Sequence, residues 1–274
     1  MIAPKKISLR WMVFADTALS YWRIGWKQSW IYRRNTLLSL IGAILALALQ
    51  LAVWAFLTKD GSLGGYSKHS STAYFTMMYL LGIVLSPGCD IWLSRRIING
   101  DIVLDMLKPQ NPLFFVPFEQ LSANLHRLLI GGLPVMAGLA LLYGFSLSPS
   151  RILAVMPVMT LSYVFWVAME FCLGSACFRT NAYWGVASLK SLLLMLLTGR
   201  LLPLEFYPNW LAASLDKNPF AIAYYHVARG ALGLDSGRTL LSVTFWQLLF
   251  AAAACWLAMI FWNTGLRKLH TQGG

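Results

Sequence analysis

The sequence predicts an all-α integral membrane protein, and three observations predict it. Of 274 residues, 58% are hydrophobic and only 12% charged, with a mean hydropathy of +0.62. Soluble domains carry about a quarter charged residues, so an ordinary soluble make-up is excluded. Several Leu-, Ala- and Met-rich runs reach the ~20 residues with which a helix crosses about 30 Å of hydrocarbon, and they lack the period-two alternation of a membrane barrel. Lysine and arginine are also unevenly divided between the two sides that these runs define. With the N-terminus inside, fourteen fall on the cytosolic side and seven opposite, with Lys190 left within a span. That asymmetry orients both termini to the cytosol and accounts for the net charge of +12 without nucleic acid as a partner.

Residues 1–35 form the first element, an amphipathic interfacial helix. Trp22, Trp26 and Trp30 recur every fourth residue, Trp11, Phe14 and Ala18 extend the stripe, and Arg10, Arg23, Lys27 and Arg34 supply charge. Tryptophan favours the headgroup level and basic side chains favour anionic lipid, so the helix is expected to lie flat on the inner surface of the bilayer. Binding a partner protein is the other use of such a pattern. Basic residues continue to Arg34 and no short apolar core follows Met1, so the stretch does not read as a signal peptide.

The remainder, 36–274, reads as one transmembrane domain with six spans, at about 36–57, 72–93, 121–145, 152–178, 182–202 and 243–262. Pro134 and Pro157 fall in the third and fourth, where neighbouring helices re-satisfy the freed backbone. Glu170 and Lys190 are charges inside the fourth and fifth. Each lies about ten residues from the turn near Thr180 and Asn181, which puts both at one depth, about 15 Å in. An unpaired charge there costs about 3 kcal/mol, so the two are expected to pair. A snorkelling lysine beside a protonated glutamate is the competing reading.

Two connections are informative. Ser94–Pro112, SRRIINGDIVLDMLKPQNP, is a short amphipathic segment between very apolar runs. On a helical wheel Asp101, Asp105 and Lys108 share a stripe, while Ile98, Ile102, Val103, Met106 and Leu107 cover the rest. Such a segment lies along a boundary, with its acidic stripe expected to face the cytosol, and Pro109 ends it. The connection from Arg200 to Ser242 begins RLLPLEFYPNWLAASLDKNPF, too apolar for a solvated loop and too often broken by Pro203, Pro208 and Pro219 for one span. A re-entrant or interfacial pair of short helices fits, with Glu205 near its tip.

Other chemistries lack their residues. Cys89, Cys172, Cys177 and Cys255 contain no CxxC pair, so neither a metal site nor a disulfide scaffold is indicated. His69, His126, His226 and His270 are scattered without an HExxH motif or a catalytic grouping. No GxxxxGK[ST] phosphate cradle and no LSGGQ-like signature occurs, so the chain is expected to bind no nucleotide and to be no enzyme by itself.

The interfacial helix, the six spans, the INGDIVLDMLKP segment after the second and the GRLLPLEFYPNWL…NPF segment after the fifth resemble the membrane subunit of a type-2 ABC exporter, the type V or ABCG-like fold. The resemblance covers nearly the whole chain. It implies a permease that exports polysaccharides, lipids, peptides or drugs, paired with a second permease, identical or homologous, and with a cytosolic ABC ATPase in two copies that carries the ATP and Mg. It implies a connecting helix at the N-terminus and a coupling helix over Ile97–Lys108, with Ile97, Ile98, Asp101, Ile102, Asp105 and Lys108 as its contact residues and both aspartates facing the ATPase. It places outer re-entrant helices around Pro203–Pro219, and spans two and five along the path, in the inner (cytoplasmic) membrane. The chain departs from the pattern at Arg200, where small residues usually continue. An ion- or proton-coupled secondary transporter relaying through Glu170 and Lys190 is the alternative, although the two halves show no matching broken helices.

Overall fold

The computed structural model describes residues 4–59, 61–62, 64–180 and 183–269, with side chains from Met12 to Arg267. The side chains of Arg10 and Trp11, and Asn181 in the expected turn, lie outside the described residues. Among the described residues every regular element is a helix. α1 (Pro4–Ile31) meets α2 (Arg33–Leu57) at Tyr32, the one residue between them. α3 (Lys68–Val84) opens on a capping box in which the Ser67 and Ser70 side chains each accept the other's backbone N–H. α4 (Cys89–Ile98) and α5 (Ile102–Met106) follow. α6 (Pro112–Arg127), a π turn at Leu128–Gly132 and α7 (Leu133–Tyr143) then run on as one stretch. α8 (Pro149–Ser175) precedes α9 (Tyr183–Leu197), and the last connection holds α10 (Asn209–Asp216), α11 (Pro219–Ala221) and α12 (Val227–Leu232) before α13 (Gly237–Leu269).

Among the described residues five stretches are long and apolar enough to cross a membrane, namely Arg33–Leu57, Lys68–Ile98, Pro112–Tyr143, Pro149–Phe178 and Gly237–Arg267. α9 is apolar but has only 15 residues. The helix bounds depart from the expected spans, as three of them show. The third stretch starts at Pro112 rather than 121, because Asn111 accepts the Leu113 N–H at 3.0 Å and Pro112 suits the first helical position. The fifth stops at Leu197 rather than 202, because Gly199 turns left-handed with φ +75°. The last helix starts at Gly237, six residues before Val243.

Proline chemistry shapes the interior of these helices. Pro134 lacks the N–H that would bond Ile130 and its ring crowds that carbonyl, and the turn just before it widens to a π turn. Pro117 likewise frees a carbonyl in α6, yet its own carbonyl accepts the Tyr163 hydroxyl at 2.7 Å.

α3 is the centre of the fold. Every residue from Ser71 to Leu81 is buried, so Tyr74, Phe75, Met77, Met78 and Tyr79 are core packing. α2, α6, α7 and α12 pack around it, α8 packs along α13 and also against α4, and α1 lies along α6. α9 is the outlier. Tyr183 is its one buried residue, while Trp184, Leu189, Leu192, Leu193 and Met195 present an exposed apolar surface.

Candidate functional site

The second stretch is broken where the sequence reading drew one continuous helix over 72–93. Pro87 offers no N–H, Gly88 adopts φ +75°, and the chain is non-helical from Leu85 to Gly88. Inside hydrocarbon each freed backbone group needs a partner. Asn124 Nδ2 donates to the carbonyls of Val84 at 3.3 Å and Ser86 at 3.0 Å, and the Tyr224 hydroxyl reaches Leu85 O at 3.5 Å. The Cys89 N–H donates to Glu170 Oε2 at 2.8 Å. Glu170 therefore sits at the N-terminus of α4, where the helix dipole also favours a carboxylate.

The other oxygen of Glu170 meets Lys190. Nζ lies 3.0 Å from Glu170 Oε1 and 2.6 Å from Asp90 Oδ2, so α4, α8 and α9 converge on one ammonium. Both carboxylates are almost fully buried, and the lysine side chain is 15% exposed. Gly174 permits the approach of α4 to α8, because a Cβ there would lie 3.0 Å from Leu93 Cβ and 3.1 Å from Asp90 O. Asp90 is the member that sequence reasoning missed. The Pro87–Gly88 pair was its signal, since a break at that point turns the next residue inward.

At the other end of α4 the helix stops at Asn99, Gly100 takes φ +80°, and α5 turns away to form an elbow. That turn corrects the expectation that both aspartates face outward. Asp105 is buried, its carboxylate 2.7 Å from Lys108 Nζ and 3.4 Å from Arg96 Nε, while Asp101 is half exposed and 3.6 Å from Arg96 Nη1. Ile102 is wholly buried and Ile97 partly so. The outer surface of the elbow is apolar instead, made by Ile98, Val103, Leu104 and Leu107, the last 78% exposed.

α1 carries the aromatic stripe, but the stripe meets protein as well as solvent. Trp26 and Trp30 stand edge-on to His126, with centroids 5.1 and 4.9 Å away, and Tyr21 stacks on Phe115 at 5.6 Å. Trp22 is half-buried, and Arg23 and Lys27 are exposed. Gly25 sets the crossing with α6, because a Cβ there would overlap Glu119 O and Ser122 Oγ.

On the far connection, Pro203 and Pro208 precede the Leu204–Phe206 turn and α10, and Pro219 opens α11. Glu205 is no free tip. It accepts from Arg229 and from the Tyr66 hydroxyl at 3.3 Å. Arg229 Nε donates to Asp235 Oδ1 at 2.7 Å, and His226 bridges Asp235 Oδ2 at 2.9 Å and Asp216 O at 3.1 Å. Burial opposes the imidazolium of His226, but Asp235 and Asp216 outweigh it and raise its pKa. Burial also opposes the Asp235 carboxylate, yet hydrogen bonds from His226 and Arg229 hold its pKa below the ordinary value. Asp216, His226, Arg229 and Asp235 are spread over twenty residues without a spacing rule, so no sequence signal groups them.

The profile of the ABC-2 family transporter proteins matches residues 43–273. No curated protein and no solved structure matched the chain. The match runs from within α2 to beyond α13 and takes in the broken stretch, the elbow and the far connection, leaving only α1 and the start of α2 outside. The chain belongs to the ABC-2 family transporter proteins, as a multi-pass membrane permease of the type-2 ABC class.

Proposed function

We propose that the chain is the transmembrane subunit of an ABC exporter in which two permeases, identical or homologous, enclose the path and two cytosolic ATPases drive it. ATP and Mg belong to the ATPases in this reading, and the chain itself is no enzyme. α9 counts as the sixth crossing, which puts both termini in the cytosol of a cell whose inner membrane holds the complex. Residues 1–35 act as the connecting helix on the transmembrane domain 36–274. The observation that carries the ATPase contact is the elbow. Four exposed apolar side chains stand on a short corner whose interior is fixed by Arg96, Asp105 and Lys108, on the side that bears most of the positive charge. An exposed apolar corner on a rigid charged base is the composition of a docking surface.

The test is purification of the tagged chain from its native membrane. An ABC ATPase is expected to co-purify with the wild type and to be lost from Leu104→Glu/Leu107→Glu, with the double variant still inserted. Export that proceeds without any ATPase, and that stops when the proton gradient is collapsed, would replace this reading with ion coupling through Asp90, Glu170 and Lys190.

A further inference from the structure

A cavity of about 610 Å³ opens between α2 and α9. Leu49, Val53, Leu194 and Met195 make its apolar walls, and its polar groups are Gln50, Ser86, Lys190, Ser191 and Arg200. Most of these are engaged. Gln50 Nε2 donates to Arg200 O at 2.7 Å and Leu201 O at 3.3 Å, and the Ser191 hydroxyl donates to Ala187 O at 2.9 Å. Lys190 reaches the wall, but Asp90 and Glu170 hold it from behind, and neither carboxylate lines the cavity. Arg200 differs. Among the described residues no carboxylate lies within ion-pair distance of its guanidinium, which rests against Gly82 and 5.5 Å over the Tyr224 ring.

Arg200 stands three residues beyond the end of α9, in the turn that Gly199 makes with φ +75°. The Tyr74 hydroxyl holds that turn through Gly199 O at 2.9 Å, and α3 is too buried to yield. A guanidinium on the wall of a largely apolar cavity, held there without a carboxylate, is a standing site for an anion that an apolar body can deliver.

We propose that the cavity binds an amphiphile with an anionic head, a phosphate, sulfate or carboxylate on Arg200 and an apolar chain laid along α2 and α9. Its volume falls in the range of small-molecule sites. The inference rests on the permease reading only for the use made of the ligand, which is either cargo or resident lipid.

The experiment uses the purified chain in phosphatidylcholine nanodiscs, photolabelled with lysophosphatidylglycerol carrying a photoactivatable alkyl chain. Crosslinks are expected at Leu49, Val53, Leu194 or Met195, competed by dodecyl phosphate and not by dodecyl maltoside. Arg200→Gln should cut labelling by about tenfold or more, as loss of a charge-assisted contact requires, with Arg200→Lys retaining part. Leu194→Trp fills the cavity without touching the charge and should also cut labelling, so a folding defect at Arg200 does not decide the result. Adding phosphatidylglycerol to the discs separates the sources: falling labelling identifies a bilayer lipid as occupant, and unchanged labelling identifies a single-chain anion. Equal labelling of wild type and Arg200→Gln, or equal competition by dodecyl maltoside, overturns the proposal. Neither ATP nor an ATPase enters this readout, so its failure leaves the permease reading to the co-purification test.

Discussion

Lys190 of α9 and Asp90 of α4 are 2.6 Å apart although a hundred positions separate them in sequence. Glu170 completes the contact from α8, and the three do not contribute equally. Lys190→Gln leaves two buried carboxylates facing each other, which should cost about 3–5 kcal/mol. Glu170→Gln keeps the Lys190–Asp90 pair, and its amide oxygen still accepts the Cys89 N–H, so the loss should be about 1 kcal/mol. The neutral triple change Asp90→Asn, Glu170→Gln, Lys190→Met should recover most of the deficit. Thermal midpoints of the purified variants check the ranking, and a Glu170→Gln loss as large as that of Lys190→Gln would count against it.

At the elbow, the buried position of Asp105 separates two effects that an outward acidic stripe would merge. Asp105→Lys brings a third cation between Arg96 and Lys108 and should lower the thermal midpoint. Asp101→Lys should change stability by no more than about 1 kcal/mol, because its contact is partly exposed. Leu107→Glu should leave the midpoint unchanged and weaken ATPase binding by about tenfold or more, the effect of losing an apolar anchor. Binding of the purified ATPase to each variant measures this.

Gly25 has no room for a side chain where α1 crosses α6. Gly25→Leu should destabilise the chain by about 1–3 kcal/mol through overpacking. Protease sensitivity of α1 should rise in the same variant. A variant as resistant as the wild type would show that α1 holds on by other contacts.

The His226 cluster predicts a stability profile with two limbs. The raised pKa of His226 means that its contribution is complete below about pH 6.5 and is lost as pH rises through the folded value. The lowered pKa of Asp235 means that its contribution is complete above about pH 3.9 and is lost as pH falls through the folded value. His226→Gln should flatten the upper limb and shrink the lower one, because Arg229 is then left to hold the Asp235 carboxylate down. Thermal midpoints across pH 3 to 9, roughly the range in which these groups titrate, test the assignment.

Membrane class and most helical stretches were legible because length and apolarity alone decide them. The meeting of Glu170 and Lys190 was legible too, since residues equally far on either side of one turn come level with each other. What was hidden depended on backbone turns. Gly88 breaks what reads as the continuous span 72–93 and Gly100 breaks what reads as the amphipathic segment Ser94–Pro112, and a helical wheel drawn across Gly100 assigns Asp105 to the wrong side. The Arg229–Asp235–His226 contacts join residues that no period relates, and only the folded connection brings them together.

Seen as a mechanism of parts, α4 is a strut between two joints. Its ten residues, about 15 Å, hold no flexible point between the bends at Gly88 and Gly100. Arg96 grips the elbow at one end and Asp90 grips Lys190 at the other. A displacement of the elbow would travel along α4, which packs on α8, to the Asp90–Lys190 contact as the throw of a crank, and the exposed α9 is the arm it would turn.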